Sequence, residues 1–167
     1  MAKKKINKDL LFVVTVAAMA LGLMAFVAMF FPAVKMSTDG LFGAVYEYEV
    51  SGIISTFGGI IEDKNLPFLK KECIFNTLAF IGYLLPLLSI PLAYLAFKDK
   101  KNLFSFVAIG LALVGAILIF VEPALFASVN EINENIVCSA LVGPVLGGIF
   151  AILAGLANGA VVYLKKQ

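Results

Sequence analysis

Histidine, tryptophan and arginine are all absent from this 167-residue chain, and each absence closes off chemistry. Without histidine there is no imidazole base, no usual haem ligand and no zinc site of the histidine type. The two cysteines, Cys73 and Cys138, stand far apart and do not make the C-x-x-C pair of four-span thiol oxidoreductases. No P-loop, no G-x-S-x-G elbow and no cluster of carboxylates inside an apolar run occurs. The expectation is a protein that is not an enzyme and carries no cofactor and no metal.

Charge is scarce as well. Only 14% of residues are charged, against about 25% in a soluble domain, and 62% are hydrophobic. That leaves too little polar surface to coat a globule, so lipid must be the solvent for much of the chain. Four uncharged apolar runs are present: 10–31, 74–97, 103–121 and 137–164. Each meets the need for about 20 residues to cross a hydrocarbon core of about 30 Å. Backbone groups in lipid must pair within their own segment, so runs of this length read as helices. The predicted fold is an all-α membrane bundle of four helices, forming one membrane domain over 1–167, with outer segments 32–73 and 122–136. The first run exceeds the 7–15 residues of a secretory h-region and lacks a clean small-x-small cleavage site, so it reads as a retained span.

Lysines sort by loop. Lys3, Lys4, Lys5 and Lys8 precede the first run, Lys98, Lys100 and Lys101 fill the turn between the second and third, and Lys165 and Lys166 end the chain. An even number of spans puts these three segments on one side, and the positive-inside bias makes that side cytoplasmic. Both termini are expected in the cytoplasm. Lysine used to the exclusion of arginine fits an AT-rich genome and a bacterial cytoplasmic membrane. These lysines lack interleaved aromatics, so they read as topology and lipid-headgroup contacts, with no nucleic-acid partner. In place of indole anchors stand Tyr46, Tyr48, Tyr83, Tyr94 and Tyr163.

The first outer segment holds "VYEYEV", which alternates strictly: Tyr46, Tyr48 and Val50 on one face, Glu47 and Glu49 on the other. Period two predicts a half-buried strand. "AVKMS" upstream is its expected partner, with "TDG" supplying turn chemistry, so a small antiparallel hairpin should lie on the outer end of the bundle. A surface helix over Leu41–Ile61 competes with this, but Gly43, Gly52, Gly58 and Gly59 within it, and Gly40 just before it, make it unfavourable, since a glycine costs about 1 kcal/mol in a helix interior. "LPFLKKEC" reads as a short lead-in helix. The second outer segment, "EPALFASVNEINENIVC", offers Glu122, Glu131 and Glu134 with Asn130, Asn133 and Asn135. These are oxygen donors fit for a hard cation, but their spacing matches no calcium loop, and a solvated acidic run is expected. Cys73 and Cys138 both fall near the outer surface, where a disulfide between them and two separate thiols are equally compatible with the pattern.

The last run carries a small residue at every fourth position: Ser139, Gly143, Gly147, Ala151, Gly155 and Gly159. Helices in lipid associate through close packing, which small residues permit. A spacing of four drifts about 40° per step around the helix, so the outer half of this stripe should meet one neighbour and the inner half another. The fourth span is therefore expected to be the hub of the bundle. Polar side chains at membrane depth are few: Thr15, Asn76, Ser89, Ser105 and Asn158, with Asn158 expected to bond across to a neighbour. Glu122, followed by Pro123, reads as a boundary residue facing headgroup water. Asn76 and Glu122 are the candidate polar path, and Pro86 and Pro91 should bend the second span.

"FFPAV" closing the first span, then "YEYEVSG" and "FGG", resembles a pattern in small uncharacterised four-span bacterial membrane proteins. The order of span, outer sheet and three further spans is similar to the claudin-like architecture. The claudin tryptophan signature is missing and Cys73 alone stands in the first outer loop, so only the plan is implied. The function expected is an interaction platform, accessory subunit or scaffold. Its outer face (Tyr46, Glu47, Tyr48, Glu49) would contact another membrane or envelope protein or a second copy. The alternative is a small transporter or channel subunit lined by the second and third helices.

Overall fold

The computed structural model describes residues 8–39, 45–62, 70–98 and 102–166. In chain order the elements are α1 (Lys8–Val27), a 3-10 turn (Ala28–Phe30), β1 (Pro32–Asp39), β2 (Val45–Ser51), α2 (Gly52–Phe57), β3 (Gly59–Glu62) and β4 (Lys70–Cys73). There follow α3 (Thr77–Lys98), α4 (Leu103–Phe120), α5 (Glu122–Val129), β5 (Ile136–Ala140) and α6 (Val142–Lys166). Four helices, α1 with its 3-10 turn, α3, α4 and α6, are long and apolar enough to cross a membrane.

Their packing inverts that of a soluble protein. Large apolar side chains such as Phe12, Leu88, Phe106, Ile117 and Leu156 face outward, while Ala18, Ala25, Ala93, Ala108, Ala112 and Ala154 are buried between helices. Lipid solvates leucine as well as another helix does, so nothing draws the large side chains inward, and small ones let the backbones approach. The four spans form a ring: α1 and α4 each pack against both α3 and α6, which face each other across it. The expected hub is thus one side of a ring, since α6 has two principal neighbours like every other span.

Along α6 the stripe turns as its periodicity requires. A side chain added at Gly143 would meet the backbone of Ala28, Phe31 and Pro32, and one at Gly147 would meet Ala28, Tyr83 and Ile119. Ala151 packs with Ala25 and Ala116 in one cluster, and Gly155 faces Ala112 and Leu113 of α4. The stripe therefore passes gradually from one neighbour to the other: Gly143 meets the 3-10 turn and the start of β1, Gly147 and Ala151 lie between the α1 side and α4, and Gly155 faces α4. Two members fall outside this contact. Ser139 belongs to β5, and Gly159 faces open space.

A tighter contact joins α3 to α4. A methyl group at Gly115 would lie 2.6 Å from Cδ of Pro86 and 2.9 Å from the carbonyl of Gly82. Pro86 thus fills the gap that Gly115 leaves, and its own carbonyl lies against Gly22 of α1. α3 runs through Pro86 and Pro91 as one element.

At the outer end, β1 pairs antiparallel with both β2 and β5, giving the order β2-β1-β5. Lys35 sits opposite Glu49 on one side and Ser139 on the other. The hairpin partners expected from "VYEYEV" and "AVKMS" are these two strands, and Gly40 of the "TDG" turn lies outside the described residues. Two expectations are corrected. The described end of "LPFLKKEC" is β4, paired with β3 (Gly59 opposite Cys73), and not a helix. Residues 137–140, assigned by hydropathy to the fourth span, belong to β5, and α6 starts only at Val142. An apolar run does not say where it stops being lipid-exposed helix, and β1 supplies the backbone partners that draw 136–140 into the sheet. α2 is a single short helix, N-capped by the Ser51 hydroxyl, which accepts from the Ile54 amide at 3.3 Å. It ends at Gly58, whose φ of 80° is left-handed and whose missing side chain leaves room for the Cys73 carbonyl.

Candidate functional site

The sheet has two faces of opposite chemistry. Val34, Val50, Met36, Tyr48 and Cys138 pack with Ile61, Cys73 and Phe126 into one apolar cluster beneath it. Facing away are Lys35, Glu47 and Glu49, with the Lys35 ammonium 2.8 Å from the Glu47 carboxylate. Such a surface pair adds well under about 1 kcal/mol, so it marks the character of the face more than it holds the strands together. Of the four residues expected to form the outer face, Glu47 and Glu49 are exposed on it. Tyr48 is half-buried in the cluster, and Tyr46 is exposed at the far end of β2.

Below the sheet lies the feature the sequence reading placed wrongly. Glu122, expected to face headgroup water, is 0% exposed. Its carboxylate accepts a hydrogen bond from the Tyr83 hydroxyl at 2.6 Å and another from the Ser55 hydroxyl. These donors come from α3 and α2, so one carboxylate at the start of α5 ties the bundle to the outer lid. Pro123 explains how it got there: the proline opens α5 directly after α4 ends at Phe120, which turns Glu122 inward beneath α2. Burial pushes the Glu122 carboxyl above the ordinary carboxylate range, and the Ser55 and Tyr83 hydroxyls pull it back down. Ser55 also reaches the Gly52 carbonyl at 3.1 Å, so its single proton has two acceptors. When Glu122 is protonated it donates to Ser55, which then donates to Gly52. Both protonation states keep these partners.

Asn76, the other member of the candidate polar path, is a helix cap. Its side-chain oxygen accepts from the Ala79 amide at 3.1 Å, and its backbone N–H donates to the Thr56 carbonyl at 2.9 Å. The Asn76 side-chain nitrogen Nδ2 and the Thr56 hydroxyl are buried without a hydrogen-bond partner. Of the other polar side chains expected at membrane depth, Thr15 donates to Leu11, Ser89 to Pro86 and Asn158 to Ala154, each within its own helix, while the Ser105 hydroxyl is buried without a hydrogen-bond partner. Asn158 therefore bonds back along α6 and not across to a neighbour.

Asn130 is a clamp between the two outer segments. It accepts from the Ile74 amide at 2.9 Å and donates to the Phe126 carbonyl at 3.0 Å. Asn133 accepts from the Asn135 amide. Two of the oxygens read as cation donors are thus engaged with backbone, and among the described residues no group of three Cys, Asp or Glu side chains is placed to hold a metal ion. Cys73 and Cys138 share the apolar cluster as free thiols. Burial pushes both thiols up, against the opposing pull of the Lys71 cation, so neither is an activated nucleophile.

Sequence reasoning did not single out Ser55 and read Tyr83 as a surface anchor, whereas it is fully buried. Each looked ordinary in its own segment, and only Glu122, an acid at the rim of an apolar run, carried a signal that a polar partner was needed. The chain matches no family model, no curated protein and no solved structure.

Proposed function

We propose that the protein is a non-enzymatic component of a bacterial cytoplasmic membrane, with both termini in the cytoplasm, whose outer sheet is a docking platform. Its partner is another membrane or envelope protein, or a second copy of the chain. The observation that carries this reading is the build of the sheet. Its underside is fixed to the bundle through Phe126 and the Glu122 hydrogen bonds, while its outward face presents Glu47 and Glu49. Among the described residues the far edge of β2 is unpaired. An open, acid-bearing edge on a fixed base suits strand addition by an extended basic segment.

A transporter reading asks for a polar route through the bundle. Thr15, Ser89 and Asn158 spend their donors on their own helices, and Glu122 is sealed under α2, which supports the platform reading over that one. The test is a photo-crosslinking amino acid placed at Glu49 in cells, followed by purification in mild detergent. A discrete adduct of defined mass is expected. A monomeric particle free of partners, with no adduct at Glu49, overturns the proposal. Ion or solute flux in proteoliposomes that disappears in Glu122→Gln would move the assignment to a transporter.

A further inference from the structure

Beside the docking face, the lid turns an apolar flank sideways. Ile53 and Phe57 lie four residues apart on α2, share one helical face and are both exposed, Phe57 by 45%. Just before α3, Ile74 and Phe75 are exposed too, Ile74 by 58%. The rings of Phe57, Phe75 and Phe80 pack on one another with centroids 5.6–6.1 Å apart. This trio brings α2, the end of the β3–β4 hairpin and the first turn of α3 onto one surface.

A contiguous apolar surface of this kind marks an interaction site, and its continuity says with what. Leu78 carries it directly onto α3, whose Leu88 and Leu95 are exposed on a helix apolar enough to cross a membrane. The 22 residues of α3 span roughly 33 Å, about the hydrocarbon thickness, so its first turn lies at the outer boundary of the bilayer. Ile74 and Phe75 directly precede that first turn, at the height where an exposed apolar face is buried at the headgroup–acyl boundary. The tyrosines expected as anchors do not serve here: Tyr83 is fully buried and Tyr48 packs under the sheet. Across the hairpin, exposed Glu72 pairs with Ile60 and marks the height at which the flank meets water.

We infer that the flank of the lid is seated in the outer leaflet, with the Phe57–Phe75–Phe80 trio at the boundary between headgroups and acyl chains and phospholipid as its occupant. The lid is then a monotopic element joined to a four-span bundle, held from below by Glu122 and from the side by lipid.

Because the chain has no tryptophan, Phe57→Trp creates a single reporting indole. The protein is reconstituted into phosphatidylcholine–phosphatidylglycerol vesicles, plain or with acyl chains brominated near the carbonyl end. The Phe57→Trp emission is expected to be blue-shifted, to lose most of its intensity in brominated lipid and to resist aqueous iodide. Val137→Trp, on the outward sheet face at 62% exposure, gives the water-facing reference. Quenching of Phe57→Trp by iodide and not by brominated lipid overturns the inference, because the flank is then in water. Resistance to both overturns it too, because protein then covers the flank. Should Phe57→Trp fail to fold, Ile53→Trp on the same helical face provides the same readout.

Discussion

The bundle and the lid solve opposite problems with different residues. In the bundle the surroundings are already apolar, so cohesion comes from absence: Gly22, Gly82, Gly115 and Gly147 let helices close on one another, and polar side chains mostly satisfy themselves locally. The lid, built from the short elements outside the four apolar helices, gains cohesion from side chains that reach between segments: Glu122 to Ser55 and Tyr83, Asn130 to Ile74, and the cluster around Phe126. The bundle is damaged by adding atoms. The lid is damaged by removing them.

The largest expected effect tests the first half of that contrast. Gly115→Leu drives a side chain into Pro86 and the Gly82 backbone, which cannot move aside without separating α3 from α4, and should cost roughly 3 kcal/mol or more. Gly159→Leu, where an added group meets nothing within 4 Å, should cost nothing and gains helix propensity. Melting curves of the two variants in the same detergent check the pair. Equal midpoints would break the claim that close backbone approach holds the ring.

Next comes Glu122→Ala, which strands the Tyr83 hydroxyl, leaves Ser55 with the Gly52 carbonyl alone and should cost about 1–3 kcal/mol. The loss should be local, with hydrogen exchange rising across α2 and β1–β2 while the four spans keep their protection. Uniform loosening of spans and lid would mean that the carboxylate is part of the bundle core.

The same group gives the contrast a pH signature. Its folded carboxyl is raised above the unfolded value, so between the two the folded state binds the proton and the unfolded state does not. Stability from this group is therefore full below the ordinary carboxylate value and is lost as pH climbs through the raised one. The wild-type melting midpoint should fall over that interval, and Glu122→Gln should remove this component of the slope. An identical pH dependence in the variant would sink the assignment. Smallest of all is Lys35→Ala, which opens the surface pair with Glu47 and should shift stability by less than about 0.5 kcal/mol, while raising the yield of the adduct formed at Glu49, because the freed Glu47 carboxylate makes the face more attractive to a basic segment.

Much of the bundle was legible in one dimension because the rule for crossing lipid is itself one-dimensional. The expected 103–121 is Leu103–Phe120, and 74–97 is Thr77–Lys98, within three residues at each end. β2 was legible because alternation is a local pattern, and β1 because it lay one turn upstream. β5 was not, since "IVCSA" reads equally well as the head of an apolar helix and becomes a strand only through β1, about a hundred residues away in sequence. β4 was missed for a different reason: its partner β3 is the preceding element, but neither "GIIE" nor "KKEC" alternates apolar with polar residues, so neither carries a strand signal of its own.

By itself, the order of residues determined that four segments belong in lipid and that one short stretch before α2 belongs in a sheet. Each of those outcomes depends on solvent and on neighbours within a few positions. Where Glu122 points, which strand completes the sheet and which glycines carry the ring were decided only by the tertiary structure. Burying a carboxylate requires donors to be delivered to it, and Ser55 and Tyr83 lie 67 and 39 residues away along the chain. No local pattern encodes a meeting at that separation. It exists only once the helices have packed.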